Sequence, residues 1–424
     1  MKNLILVAMT FSSINLLAAT SAPKIVYGED NRVEIFEISD HLQEIAASTA
    51  GMIKKNDLLS VHKDYKLMPP KVIEKTMRLC KDERFLDQSN AMSCSGFLVG
   101  PDLLVTAGHC INSEKDCADS VFVFDYKLRE DTKRADVVIN NDKIYSCKKI
   151  LNAALYNTDD GKVRHDYSLI RLDRKVEGRK ILKFRTSGKV EDDAQLYVIG
   201  HPSGLPSKFA GGASVKFNSH DNYFVTNLDT FGGNSGSAVF NAKTDTIEGI
   251  LVRGSMDYIK GPSGDCYMVT QVPDDAPEIL PSRFGEAVSR ITDVPTLFNR
   301  GPYFTAIAEG SLDEVKALAQ KVAEVNIYDN NLNTALHYAA LNKRLDVAKF
   351  LVGENAEAVN VNLANDEGQT ALFIAAEKND TKLVEYLLAS GADASIKDNK
   401  GIFPYQKAPI FSKARRLLKK AIKL

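Results

Sequence analysis

The sequence predicts a multidomain protein in which an all-β unit precedes an all-α unit built from repeats. Three observations carry this. The chain has 424 residues, more than one ordinary core accommodates. From about Ser93 to Val272, short β-branched and aromatic runs alternate with turn residues, the pattern of an all-β sandwich or barrel. After Gly301 the apolar spacing turns helical, and a Thr-Ala-Leu segment at Thr334 returns at Thr370, which marks stacked repeats.

The N-terminus comes first. Lys2 precedes an apolar run that ends in small residues at Ala18 and Ala19, so residues 1–19 read as a secretory signal peptide cleaved after Ala19. A secreted or periplasmic protein is expected. No later apolar run reaches the ~20 residues of a membrane span. The formal net charge of -1 gives no reason to expect nucleic acid or an anionic membrane as partner. Six cysteines (Cys80, Cys94, Cys110, Cys117, Cys147 and Cys266) all lie before residue 270, and an even set in an exported segment points to disulfides. No CxxC pair occurs, which gives a zinc site little support, and the sequence implies no metal or organic cofactor.

In the β unit, Gly96-Phe97-Leu98-Val99, Leu103-Leu104-Val105-Thr106, Val121-Phe122-Val123-Phe124 and Leu196-Tyr197-Val198-Ile199 read as strands. So do Tyr223-Phe224-Val225-Thr226 and Gly249-Ile250-Leu251-Val252. Pro273, Pro277, Pro281 and Pro295 then mark a change of regime, and residues 283–291 between them have helical spacing and are expected to cap the β domain. Residues 293–301 form the expected linker.

In the second unit, Thr334-Ala335-Leu336-His337-Tyr338-Ala339-Ala340 recurs as Thr370-Ala371-Leu372-Phe373-Ile374-Ala375-Ala376, each followed by an amphipathic segment. Thr334 and Thr370 are 36 residues apart, and Thr370 and the matching Phe403 are 33 apart, a spacing typical of stacked helical repeats. With the Gly391-Ala392-Asp393 turn, this closely resembles ankyrin repeats. The resemblance implies an all-α solenoid over residues 302–424, of about four units with degenerate ends at Leu312 and after Gly401, and a protein partner for it. His337 reads as a turn-stabilising residue, and the basic stretch Lys413 to Lys423 as the solvated face of a last helix.

Three segments of the β unit carry chemistry. Thr106-Ala107-Gly108-His109-Cys110 offers a base whose near-neutral pKa suits proton shuttling. Asp166-Tyr167-Ser168-Leu169-Ile170-Arg171-Leu172 offers a carboxylate to orient it, with neighbouring His165 as a rival base. Gly232-Gly233-Asn234-Ser235-Gly236-Ser237 is a tight glycine turn presenting one hydroxyl. These segments resemble the trypsin-like serine peptidases, over roughly residues 25 to 290, and a protease domain at 25–292 is expected. The resemblance implies a chymotrypsin-like double six-stranded barrel and endopeptidase activity on proteins or peptides through His109, Asp166 and Ser235. It also implies an oxyanion hole from the amides of Gly233 and Ser235, where a bulky residue at Gly233 would be damaging, and a Cys94–Cys110 disulfide. The other four cysteines allow three connectivities; Cys117–Cys147 with Cys80–Cys266 is a guess.

Asn234 stands where pancreatic enzymes carry the aspartate that pairs with the new N-terminus, so that activation device does not apply here. Gly232-Gly233-Asn234-Ser235-Gly236-Ser237-Ala238-Val239-Phe240 resembles instead the bacterial glutamyl endopeptidase branch, as does Ile25-Val26-Tyr27-Gly28-Glu29-Asp30-Asn31-Arg32. The latter resemblance implies cleavage after Lys24, with residues 20–24 as a short propeptide. Asp229, Thr230 and Gly254 are the candidate specificity pocket. Asp229 lies where trypsin carries the acid that receives Lys or Arg. Leu251 falls where the branch carries its glutamate-binding histidine. Arg253 could supply a positive charge, or be a solvated strand residue. The reading leans to cleavage after Lys or Arg, with glutamate as the alternative. The alternative of another class is a non-catalytic binding protein on the same fold.

Overall fold

The computed structural model describes residues 26–61, 64–67, 71–131, 138–157, 163–254, 256–273, 285–294, 300–319, 329, 331–353 and 359–422. The expected signal peptide (1–19), the propeptide (20–24) and Ile25 lie outside them.

Two six-stranded barrels lie side by side in the sequence. The first uses β1 (Thr49–Lys54), β2 (Cys94–Gly100), β3 (Leu103–Thr106), β4 (Ser120–Phe124), β5 (Ile144–Asn157) and β6 (Val163–Leu172). Its order is β4-β5-β6-β3-β2-β1, closed by antiparallel pairing of β1 with β4. The second uses β7 (Gln195–Gly200), β8 (Lys208–Phe217), β9 (Tyr223–Thr226), β10 (Ala238–Asn241), β11 (Ile247–Arg253) and β12 (Glu286–Arg290). Its order is β7-β10-β11-β12-β9-β8, closed by β7 on β8, with the short strand Arg32–Glu34 added along β8. This is the chymotrypsin fold. Every residue of β2, β3 and β4 is buried, which explains why these strands read as continuous apolar runs rather than as alternation. Phe97, Phe122 and Phe124 are fully enclosed, each stabilising the barrel by ~1.5–3 kcal/mol through burial alone.

The helix expected over residues 283–291 does not form. Glu286–Arg290 is instead strand β12, hydrogen-bonded on both sides by β9 and β11. All five of its residues are buried. Its two charges survive there because Arg290 donates to the Asn218 and His220 carbonyls and Glu286 accepts from Thr230. So short a run has no period that separates the two states.

Three disulfides bind the β unit: Cys94–Cys110, Cys117–Cys147 and Cys80–Cys266, with Cα–Cα distances of 6.4, 5.1 and 5.0 Å. The last of these fastens the loop after Ile73–Met77 to the hairpin Tyr258–Lys260/Tyr267–Val269.

Asp293 and Val294 remain with the barrel, and a helix opens at Arg300. Helices then come in pairs: Arg300–Glu309 with Leu312–Ala319, Ala335–Leu341 with Leu345–Gly353, Ala371–Glu377 with Thr381–Ala389, and Pro404–Lys407 with Lys413–Ala421. Thr370 caps its helix by accepting from Phe373 N at 3.2 Å. His337 is buried; its Nδ1 accepts from Thr334 N at 3.1 Å while Nε2 meets the Gln369 carbonyl at 2.9 Å, fastening one repeat to the next. Small Ala339, Ala340, Ala375 and Ala376 sit in one continuous apolar cluster, as a stack of units sharing a core requires. The basic last helix buries Ala414 and Leu418. Leu363, from the loop before the Thr370 repeat, belongs to the apolar cluster that runs through both barrels, and Leu332 lies against it. No helix among the described residues is long and apolar enough to cross a membrane.

Candidate active site

His109 sits in the turn that follows β3, and Asp166 lies on the neighbouring strand β6, where Ser168 pairs with Thr106. The turn lies flat on the sheet because residue 108 is glycine: a Cβ there would stand 2.2 Å from the Ala154 carbonyl oxygen. Asp166 is buried and holds the histidine at two points. Its Oδ1 accepts from His109 N at 3.0 Å and its Oδ2 meets His109 Nδ1 at 2.8 Å. With Nδ1–H donating, the Nε2 lone pair is left for a substrate or nucleophile proton. The Cys94–Cys110 bridge ties the same turn to β2.

Ser235 lies in a turn clamped from three sides. Ser95 of the first barrel donates its N–H to the Ser235 carbonyl at 2.7 Å and its hydroxyl to the Gly233 carbonyl at 2.9 Å. Gly236 N donates to Leu251 O on β11 at 2.7 Å. From the third side, Ser203 N donates to Gly232 O at 2.5 Å. Gly233 has φ +97° and its Cβ position would be 2.5 Å from the His201 carbonyl oxygen, so conformation and space both require glycine. The amides of Gly233 and Ser235 donate to no acceptor among the described residues. Cys110 Sγ stands 3.8 Å from the Ser235 carbonyl oxygen, bringing the histidine turn and the serine turn together at the junction of the barrels. No hydrogen bond joins His109 to Ser235 Oγ, a contact that in such sites commonly tightens only on substrate binding. His165, the rival base, is occupied elsewhere: its Nδ1 meets Asp293 Oδ2 at 2.5 Å beside Asn222.

A recess of about 280 Å³ opens next to Ser235, and Thr230 and Gly254 are among the residues that line it. Asp229 does not. Its carboxylate turns the other way, Oδ1 accepting from Tyr27 N and Oδ2 from Asn31 N, both at 2.8 Å. Burial pushes Asp229 up to about 7 against the pull of those two donors. The resemblance to trypsin puts residue 229 at the pocket, whereas the direction of its side chain follows from the N-terminal segment, which needs acceptors there. That segment is inserted as a strand: Val26–Tyr27 runs parallel to Gln271–Val272, and buried Val26 packs on Phe231. Asn234, by contrast, is buried beside Gly200. A larger groove of about 710 Å³, bordered by Arg185, Glu191 and Lys243, touches none of the three candidate catalytic residues.

Two features of the site were not anticipated. Carboxylates of Asp257 and Glu286 line the recess, one in an irregular loop and the other in the strand read as helical. The second feature is the loop His201–Leu205, which supports the serine turn. His201 is buried, shares a hydrogen bond of 3.0 Å between Nδ1 and the Leu205 carbonyl, and stacks on Tyr126. Nothing in a His-Pro-Ser-Gly run distinguishes such a support from an ordinary turn. Burial pushes the His201 imidazole down to about 4, from 6.5. The unfolded chain therefore takes up this proton below about pH 6.5 while the folded one refuses it until about 4. Stability from this group is complete above pH 6.5 and falls by about 3 kcal/mol on the way to pH 4. Urea unfolding at several pH values will show the gap between wild type and His201→Gln closing by that amount across this window; a constant gap would mean that His201 titrates normally.

The description "Trypsin-like peptidase domain" matches residues 94–250, and ankyrin repeats match residues 283–363 and 303–398. The chain carries a trypsin-like peptidase domain and ankyrin repeats. Similar curated proteins include human transient receptor potential cation channel subfamily A member 1, 28% identical over 26% of this chain and 10% of its own length. The tyrosine-protein kinase HTK16 of Hydra vulgaris is 32% identical over 27% of this chain and 15% of its own. The putative ankyrin repeat protein FPV014 of fowlpox virus is 32% identical over 21% and 20%. The chain thus spans less than a quarter of these relatives' lengths.

Proposed function

We propose that the protein is an exported serine endopeptidase whose ankyrin repeats bind a protein, either its substrate or a tethering partner. In this reading Ser235 Oγ attacks the scissile carbonyl as His109 Nε2 takes its proton, and the imidazolium then delivers that proton to the leaving amine. Water, activated by the same His109, releases the acyl group from Ser235. Asp166 fixes the tautomer and stabilises the imidazolium, and the Gly233 and Ser235 amides receive the oxyanion. The observation that carries the reading is the two-point hold of buried Asp166 on His109, on a turn disulfide-linked to β2, which also clamps Ser235. Export is supported by the signal-like N-terminus and by three disulfides that use every cysteine of the chain.

A fluorophosphonate probe tests the chemistry, because it reacts only with an activated serine. The full-length protein, secreted by its own signal, will label stoichiometrically, and Ser235→Ala will not label. Absence of labelling in the wild type would instead favour a non-catalytic binding protein on the peptidase fold.

A further inference from the structure

We propose that the last repeat carries a docking surface for an anionic lipid bilayer. The apolar tip Ile410-Phe411 enters the interface, and Arg416 and Lys420 of the following helix meet the headgroups. This binding does not depend on the chemistry at Ser235.

The whole-chain charge conceals the feature. Residues 401–424 hold seven Lys and Arg and no Asp or Glu, in a chain whose formal net charge is -1. Screening confines an exposed charge to a reach of about 10 Å, so the local excess, not the average, decides what approaches here. The helix Lys413–Ala421 sorts its charges by face. Ala414 and Leu418, four residues apart, form its buried side. Lys413, Arg416 and Lys420 share the opposite, exposed side. Lys413 is engaged by Glu385 at 2.6 Å, and nearby Lys407 by Glu377 at 3.4 Å. Arg416 and Lys420 have no acidic partner among the described residues.

The apolar pair stands at the head of that helix. Ser412 caps it, accepting from Arg415 N at 3.1 Å, while Arg415 holds the turn by donating to the Ala408 carbonyl at 3.0 Å. Ile410 and Phe411 come immediately before the cap and are 71% and 93% exposed. Among the described residues no other large hydrophobic side chain is as exposed. The repeat architecture does not require them: aligned on Thr334, Thr370 and Phe403, position 411 corresponds to Asn342 and Lys378 in the preceding units. Two adjacent apolar side chains held in water recover free energy only against an apolar phase. An acidic protein would satisfy the cations but would need a shaped pocket for the phenyl ring. A bilayer needs none, since apolar side chains sink to the acyl boundary while Lys and Arg stay among the headgroups.

The test sediments the full-length protein with vesicles of phosphatidylcholine alone, or of phosphatidylcholine mixed with phosphatidylglycerol. Binding should occur on the mixed vesicles and not on the neutral ones. Arg416→Gln with Lys420→Gln should weaken it roughly 25-fold, about fivefold for each charge. Ile410→Ser with Phe411→Ser should weaken it roughly tenfold or more. The chain has no tryptophan, so Phe411→Trp makes residue 411 a lone fluorescent reporter. Its emission should move to the blue on mixed vesicles and be quenched there by brominated lipid. Equal binding to neutral vesicles, no binding to mixed ones, or full binding by the charge variant would overturn the assignment. A blue shift of the same size with soluble polyglutamate would also overturn it, in favour of an acidic protein. All four positions are exposed, so the thermal melts should match the wild type. If that of the serine variant falls, the charge variant and the Phe411→Trp spectra decide.

Discussion

Alanine at Ser235 will lower kcat on peptide substrates by on the order of 10⁶-fold, alanine at His109 by about as much, and the double replacement no further. The three results belong together because, in the proposed mechanism, the two side chains act in one step. Without the hydroxyl there is nothing for the imidazole to deprotonate, and without the imidazole the hydroxyl is a weak nucleophile at neutral pH. What remains in each variant is whatever the Gly233 and Ser235 amides and substrate binding contribute. Residue 235 keeps its backbone in Ser235→Ala, and the Ser95 and Leu251 clamps touch only main-chain atoms of the turn, so KM should move little. Single-turnover and steady-state kinetics on the purified variants read this directly. Additive losses would mean that the two residues act in separate steps, and an unchanged rate in Ser235→Ala would place the nucleophile elsewhere.

Much of this site is legible in the sequence because its parts are local. His109, Asp166 and Ser235 each sit in a short segment whose neighbours have their own reasons to be there: Gly108 for contact with the Ala154 carbonyl, Gly233 and Gly236 for positive φ. The repeats are legible for a similar reason, since Thr334 with His337 and Thr370 with Phe373 restate one cap at a regular interval. Residues whose role depends on what arrives from elsewhere in the chain are not legible. Asp229 looks like a pocket acid until the Tyr27 and Asn31 amides, about two hundred positions upstream, claim both its oxygens. Glu286 looks like a residue of an amphipathic helix until β9 and β11 are seen to flank it. His201 has no pattern at all, and its burial is created by Tyr126 and by the turn it supports. Pocket chemistry is therefore harder to read than catalytic chemistry: the walls come from three separated stretches, at 230–235, 251–257 and 286, while each candidate catalytic group announces itself within seven residues.

Under the proposed mechanism the two-point geometry at Asp166 makes asparagine there damaging, though less so than removal of the base. Both carboxylate oxygens of Asp166 face donors, the His109 main-chain N–H and the Nδ1–H of its ring. Asparagine has one oxygen to offer. If it faces Nδ1, the amide NH₂ confronts the His109 N–H and the turn after β3 must shift. If it faces the main chain, the NH₂ points at Nδ1, which then becomes the acceptor and sends the ring proton to Nε2. An Nε2–H cannot accept from Ser235. The second arrangement keeps the backbone intact and is the one to expect, with kcat at neutral pH down about 10⁴-fold and the fold preserved. Ring ¹⁵N chemical shifts of His109 report the tautomer independently of activity. They should place the proton on Nδ1 in the wild type and on Nε2 in Asp166→Asn. If the shifts agree between the two proteins while activity falls, Asp166 acts through its charge on the imidazolium and not through the tautomer. If activity is retained, another group orients His109, and the hydrogen bonds to Asp166 serve only to hold the turn.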